Sequence, residues 1–246
     1  MITGAGSGIG AAAARMMAAE GAAISVVGIP EDGVVAVARE IEASGGQALA
    51  VATDVSAGDQ VAAAVARTVE KFGRLDILVP NAGIQMHRED ANLDTLADEV
   101  WDRTHDVNYR GQFLTCKYGL AQMVKQGSGG VVTIVSSITA LAGFSKNVAY
   151  STGKAGLVNL ARHIAVHYGR HGIRCNSICP GALESTPDHG DHPDPDGRAT
   201  AMQEKIPLGR LGRPEDIASF ITFLATEGAS YASGANFVID GGFTVS

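Results

Sequence analysis

A chain of 246 residues with a formal charge of −7 and no block of Lys or Arg offers nucleic acid and anionic lipid little to hold, so neither is expected as a partner. Its 46% hydrophobic content and 31 glycines, with few aromatics, argue against disorder and suit Val/Ile/Ala strands, Ala-rich helices and tight turns. No apolar run nears the roughly 18 to 20 residues of a membrane span, and Met1-Ile2-Thr3-Gly4 lacks the basic and apolar regions of a signal peptide, so a cytoplasmic location is expected.

Only Met1, Ile2 and Thr3 precede the first glycine turn, where several apolar strand residues are expected. Either the start of the chain is set too late or the central strand is abnormally short. From there the pattern predicts a helix near 9–20, a strand over 23–27, a helix over 31–44, a strand over 48–53, a helix over 57–72 and a strand over 77–79. A long helix over 96–126, a strand over 131–136, a helix over 151–169, a strand over 173–179, a helix over 214–226 and a strand over 237–239 complete the alternation. Such alternation implies parallel strands joined by right-handed crossovers, an α/β doubly wound sheet with helices on both faces and ligands at the carboxyl ends of its strands. No repeat, heptad or linker divides the chain, so one domain over 1–246 is expected. Residues 184–198, rich in Pro, Asp, His and Gly and without periodicity, lead to a short helix around 199–205. The segment 184–205 is therefore a candidate lid over the site.

The turn Thr3-Gly4-Ala5-Gly6-Ser7-Gly8-Ile9-Gly10 opens the first helix. Its glycines let the main chain approach a pyrophosphate, and the helix N-terminus supplies free N–H groups and partial positive charge. Both a dinucleotide site and the glycine loop of a methyltransferase fit; a P-loop does not, since no Gly-Lys-Ser/Thr follows. Asp54-Val55 ends the third strand and Asn81-Ala82-Gly83 the fourth, where a nucleotide laid across the strand ends would meet them. Each reads equally well as a turn former or helix cap. Cys116, Cys175 and Cys179 form neither a CxxC pair nor an even disulfide set and read as reduced, buried thiols.

Tyr150 and Lys154 lie four residues apart at the head of a helical pattern and so share a face. A phenol with a pKa of about 10 is too weak an acid for proton exchange near neutrality. An ammonium about 4 Å away, at an effective dielectric near 20, contributes roughly 4 kcal/mol, about three pKa units, and would bring Tyr150 into range as an acid/base. Ser137, at the end of the fifth strand, could hold a substrate oxygen, although a Ser-Ser strand end also satisfies local backbone.

Taken together and in order, these residues resemble the short-chain dehydrogenase/reductase family over essentially the whole chain: the turn 3–10, Asp54-Val55, Asn81-Ala82-Gly83, Asn108, Ser137, Tyr150-x-x-x-Lys154, and Asn176 through Pro180-Gly181. The stretch Ile206-Pro207-Leu208-Gly209-Arg210, with Gly212-Arg213-Pro214-Glu215-Asp216 and Asp240-Gly241-Gly242, is similar to the subgroup of β-ketoacyl-carrier-protein reductases and many alcohol or sugar dehydrogenases. The resemblance implies a single Rossmann domain with a seven-stranded parallel sheet, and hydride transfer between NAD(P)(H) and a secondary alcohol or ketone. It implies that Tyr150 exchanges the hydroxyl proton, Ser137 orients the substrate oxygen, Lys154 binds the nicotinamide ribose and lowers the Tyr150 pKa, and Asn108 holds a relay water. It places Gly4, Ser7, Gly8, Ile9 and Gly10 along the dinucleotide, Asp54 and Val55 at the adenine, Asn81, Ala82 and Gly83 at the adjoining ribose, and Pro180, Gly181 and Leu183 beside the nicotinamide. A homotetramer or homodimer is also implied.

The end of the second strand carries Gly28 where NAD-preferring members often have an acid, and Ser7, Ile29 and Pro30 supply no cation for a 2′-phosphate. NAD is favoured, with NADP as the second option. Gln85, His87, Thr139, Phe144 and Asn147 flank the expected substrate pocket, and the identity of the alcohol is not legible. His163, His167 and His171 lack carboxylate partners in the sequence, so no metal site is expected. Asp188, His189, Asp191 and His192 read as a solvated lid. Two other functions stand against a dehydrogenase: a catalytically silent dinucleotide-binding protein, which has no need of both Tyr150 and Lys154, and a methyltransferase, which gives the four-residue set no role.

Overall fold

The structure is a computed structural model and describes residues 1–87, 89–143, 147–184 and 203–246. The apolar alternation becomes β1 (Ile2–Thr3), α1 (Gly8–Ala19), β2 (Ile24–Gly28), α2 (Glu31–Ala43), β3 (Ala48–Ala52), α3 (Gly58–Phe72) and β4 (Ile77–Leu78). It continues as α4 (Asp98–His105), a π-helical segment (Asp106–Gly111), α5 (Gln112–Gln126), β5 (Gly130–Val135), α6 (Val148–Tyr168), β6 (Ile173–Pro180), α7 (Pro214–Leu224) and β7 (Asn236–Ile239). Every pairing is parallel. β2 lies between β1 and β3, β5 between β4 and β6, and β7 outside β6.

The two groups of strands meet through the shortest element. Ile2 bridges to Val79, Thr3 N donates to Val79 O at 3.1 Å, and Val79 N donates to Met1 O at 3.0 Å. The strand order is therefore β3-β2-β1-β4-β5-β6-β7, and it reverses direction between β1 and β4, the crevice where doubly wound sheets take their ligands. The expected short first strand is found as two residues, and both are buried.

Strands buried on both faces read as continuous apolar runs, as all five residues of β2 do. One face is covered by α1 and α7, where Ala11, Ala12, Ala13 and Ala14 pack with Ile217, Ala218, Ile221 and Leu224. Small side chains there let the helix lie close. On the other face Val65, Leu120, Met123, Leu157, Ala161 and Ile164 pack against β4, β5 and β6. The buried positions of α2, Val34, Val37, Ala38 and Ile41, have the spacing of an amphipathic helix.

Two departures from the sequence reading bear on the site. The expected single helix over 96–126 begins at Asp98 and is interrupted by the π-helical segment, which inserts one wide turn and re-aims the residue it carries, Asn108. The helix expected at 151 begins at Val148, so Tyr150 stands in its first turn. Most of the candidate lid, the short helix around 199–205 as far as residue 202, Asp188, His189, Asp191, His192 and Phe144 lie outside the described residues. Among the described residues, no helix is long and apolar enough to cross a membrane.

Candidate active site

The glycine turn sits at the reversal of strand order. Gly4 and Gly8 adopt positive φ of 63° and 50°, so the chain folds back in a conformation that L side chains rarely adopt. A Cβ on Gly10 would lie 2.7 Å from Asn81 Nδ2 and within contact of Gly4 O, while one on Gly4 would lie 2.7 Å from Ala82 Cα. α1 starts with no side-chain cap from Ser7 and no acidic residue in its first turn. Its N–H groups are thus left for an anion, and the bare, tightly cradled turn fits a pyrophosphate. The turn is fastened to β4 by contacts that the sequence did not disclose. Thr3 Oγ1 accepts from Asn81 N at 3.0 Å and Ala82 N at 3.2 Å, and Asn81 Nδ2 donates to Thr3 O at 2.9 Å and Gly4 O at 3.2 Å.

Asp54 accepts from the Ser56 amide at 2.9 Å and hydroxyl at 2.7 Å, bonds that hold its carboxyl below the ordinary range and make it a local turn former. Val55 is buried against the π-helical segment, where a Cβ on Gly111 would strike its side chain. At the other end of the crevice Gly181 N donates to Ile239 O, and a Cβ there would lie 2.7 Å from Asp240 Cα. Leu183 bridges to Gly212. Pro180, Gly181 and Leu183 therefore form a fixed edge at the end of β6.

Ser137, Tyr150, Lys154 and Asn108 converge at the ends of β4 and β5. Ser137 lies close enough to the Tyr150 phenol to pull its pKa down, and Ser137 Oγ accepts from Thr139 N at 3.2 Å and Thr139 Oγ1 at 3.1 Å. Ser137 thus satisfies local backbone, one of its two sequence readings, and stands near the tyrosine. Lys154 is buried, and its Nζ donates to Val135 O at 2.9 Å. Gly83 lies between the two polar ends: a Cβ built on it would stand 3.2 Å from Asn108 Oδ1 and 3.5 Å from Lys154 Nζ. Asn108 is fully buried and clamps Ile84, accepting from its N at 2.7 Å and donating to its O at 2.8 Å. Gln112, not anticipated, ties Ala82 O at 3.1 Å to Val135 O at 3.3 Å.

The electrostatics correct the sequence reading. The Lys154 ammonium stands 5.5 Å from the centre of the Tyr150 ring and is directed at a carbonyl rather than at the phenol oxygen. Burial dominates: it raises the Tyr150 pKa above its ordinary value, with the Ser137 hydrogen bond pulling the other way. Burial also lowers Lys154 from 10.5 to about 8. The expected depression of the phenol by the amine is absent because the low-dielectric surroundings penalise both charged forms.

Of the residues expected at the substrate, Gln85 and Thr139 are partly buried, and Asn147 reaches His87, Nδ2 to Nδ1, at 3.4 Å. His163 and His167 are exposed, with ring centres 4.3 Å apart, on the part of α6 beyond Lys154. Sequence reasoning missed Asp90, which is 1% exposed and accepts from the backbone N of Ala149 at 3.0 Å and of Tyr150 at 2.9 Å.

Sequence and structure comparisons agree with this geometry. A family model described as enoyl-(acyl carrier protein) reductase matches residues 4–244. Cis-4-hydroxycyclohexanecarboxylate dehydrogenase of Sinomonas cyclohexanicum is 44% identical over 99% of this chain and 95% of its own length. L-rhamnose 1-dehydrogenase (NAD(P)(+)) of Sphingomonas sp. (strain SKA58) is 42% identical over 100% of this chain and 95% of its own. The crystal structure of a short-chain type dehydrogenase/reductase from Mycobacterium marinum, 34% identical, superposes with a TM-score of 0.90 over 100% of this chain and 94% of that one. The chain belongs to the short-chain dehydrogenase/reductase family and is an NAD(P)-dependent oxidoreductase acting on CH–OH groups. That membership closes the methyltransferase alternative.

Proposed function

We propose that the chain interconverts a secondary alcohol and its ketone with NAD(H), and that Tyr150 is the proton donor and acceptor. The observation that carries this reading is the convergence of Ser137 and Tyr150 with a buried Lys154 and Asn108, whose Nζ and Oδ1 both face the space beside Gly83. In the reductive direction the carbonyl carbon gains a hydride and the carbonyl oxygen takes the proton of Tyr150 Oη, leaving a phenolate; oxidation is the reverse and starts from that phenolate. Ser137 would hold the substrate oxygen, and Lys154 Nζ, seated on Val135 O, would hold the ribose beside the nicotinamide. The turn 3–10, Asp54-Val55, Asn81-Ala82-Gly83 and the β6 edge would hold the dinucleotide, whose nicotinamide supplies the hydride acceptor when bound.

Preference for NAD rests on the first turn of α2. Glu31 and Asp32 stand there, two and three residues past the cation-free Ile29, and a Cβ on Gly6 would lie 3.2 Å from Gly33. Two carboxylates so close to the glycine turn disfavour a 2′-phosphate more than a bare ribose. The names of the relatives, a hydroxycycloalkane carboxylate dehydrogenase and a sugar dehydrogenase, support a polar secondary alcohol. Of the residues described by the structure, Gln85, His87, Thr139 and Asn147 would flank its pocket. The chain would act as one domain over 1–246, in the cytoplasm, as a homotetramer or homodimer. Its exposed Tyr109 and Phe113, near the head of α5, and Val166 on α6 are apolar surface for such contacts.

The test is a panel of alcohols and ketones followed by absorbance of the reduced cofactor, with NAD(H) and NADP(H) in parallel. Tyr150→Phe is expected to lower kcat by about 10²–10⁴-fold while dinucleotide affinity is retained. Undiminished turnover in that variant removes the acid/base assignment, equal efficiency with NADP(H) removes the NAD preference, and cofactor binding without turnover of any alcohol favours the silent binder.

A further inference from the structure

We infer that Asp90 is a positioning residue for the reacting centre: its buried carboxylate, carried by the loop after β4, closes the N-terminus of α6 and so fixes where the Tyr150 hydroxyl stands. The inference rests on the reading of Tyr150 as the acid/base.

A helix leaves its first N–H groups without internal partners, and these are usually met by a side chain just upstream. Among the described residues, the side chain of the α6 N-cap, Asn147, which is engaged with His87, makes no capping bond, and the first turn holds no acidic residue. The partner comes instead from 59 and 60 residues away, as Asp90 Oδ1 takes Ala149 N and Oδ2 takes Tyr150 N. A carboxylate at 1% exposure is tolerated only with such charge-assisted bonds, and the positive end of the helix adds to them.

The placement of Asp90 is itself determined by the cofactor side of the crevice. Asn108 clamps Ile84 directly after Asn81-Ala82-Gly83, and Met86 O then accepts from Glu89 N at 3.1 Å and Asp90 N at 2.7 Å, turning the loop toward α6. Asp90 thus links the loop that follows the expected ribose site to the first turn of α6. Further along, that helix is held independently, by Leu157, Ala161 and Ile164 in the core and by Ser136 Oγ donating to Lys154 O at 2.8 Å. Releasing Asp90 therefore loosens the turn that carries Tyr150 and leaves the one that carries Lys154 in place. A misplacement of about 1 Å at a reacting group is enough for a roughly hundredfold loss of rate.

The experiment compares Asp90→Ala, Asp90→Asn and Tyr150→Phe in the full-length protein, with kcat expressed per NADH-binding site counted by fluorescence titration. Asp90→Ala is expected to lower kcat per site by about 10- to 100-fold with the NADH Kd unchanged, and Asp90→Asn, which keeps one acceptor oxygen, to recover part of the loss. A merely structural role predicts fewer sites, each at full speed, and that result overturns the inference, as does Asp90→Asn no better than Asp90→Ala. If Tyr150→Phe is inactive while Asp90→Ala turns over normally, only the inference falls. If Tyr150→Phe itself turns over, the reading beneath it falls.

Discussion

Lys154→Met should make the protein more stable while abolishing its turnover. Lys154 is 3% exposed, and burial takes its pKa from 10.5 to about 8. At about 1.4 kcal/mol per tenfold change in proton affinity, that fall is a penalty of roughly 3 kcal/mol on the folded state wherever the lysine is charged. Methionine keeps the aliphatic stem and volume and removes the charge. Val135 O, which loses the bond from Nζ, is not orphaned, because Gln112 Nε2 also donates to it at 3.3 Å. Loss of a charge-assisted bond offsets about 1.5 kcal/mol of the gain, so a net stabilisation of about 1–2 kcal/mol is expected at pH 7. The sign with pH follows from linkage: between the folded value near 8 and the ordinary 10.5 the unfolded chain binds more protons, so wild-type stability from this group rises across that window. The advantage of the variant is therefore full below pH 8 and fades toward pH 10.5. Urea unfolding at pH 7 and pH 10, monitored by circular dichroism, measures both. A variant less stable than wild type at pH 7, or a gap that does not narrow at high pH, refutes the reasoning.

Two further outcomes are expected. Gly10→Ala places a methyl group against Gly4 O and 2.7 Å from Asn81 Nδ2, an overpacking of about 1–3 kcal/mol that should weaken NADH binding by roughly 10- to 100-fold; unchanged affinity by fluorescence titration would show that the turn can give way. Burial pushes the Cys116 thiol up to about 12 and Cys175 well above its ordinary 9.0, so neither should react with a disulfide reagent at pH 8 until the chain is unfolded, and rapid native labelling of either would contradict their placement.

What was legible in the sequence follows from what is local. Strand and helix spans came within a few residues because periodicity and glycine punctuation act over short stretches, as at β3, where the expected 48–53 is found as Ala48–Ala52. The set Ser137, Tyr150, Lys154 and Asn108 was singled out by its order in the chain, Asn108 only through the family resemblance, and the structure places Asn108 Oδ1 and Lys154 Nζ on either side of Gly83. The π-helical turn was not, since Asp106–Gly111 has no residue pattern that separates it from ordinary helix, and the clamp its Asn108 makes on Ile84 spans 24 residues. Asp90 was invisible for the same reason: an acid in a loop has no signature until the helix whose end it closes is placed beside it. Thr3, whose hydroxyl holds Asn81 N and Ala82 N, reads in sequence only as the end of a strand.

The widest gap between sequence and structure is electrostatic. Spacing alone puts an amine beside a phenol and invites a calculation in which the only effect is their attraction. Three-dimensional burial adds the larger and opposite effect, so that the Tyr150 pKa rises even with Lys154 on the same helix face. On the proposed role, the resting phenol therefore holds its proton, the form competent to protonate a ketone oxygen. Oxidation of an alcohol needs the phenolate instead, and the neutral resting site makes that form depend on positive charge brought close to Tyr150 from outside the chain. Lys154, with a pKa near 8 and its donor turned to Val135 O, does not supply it alone.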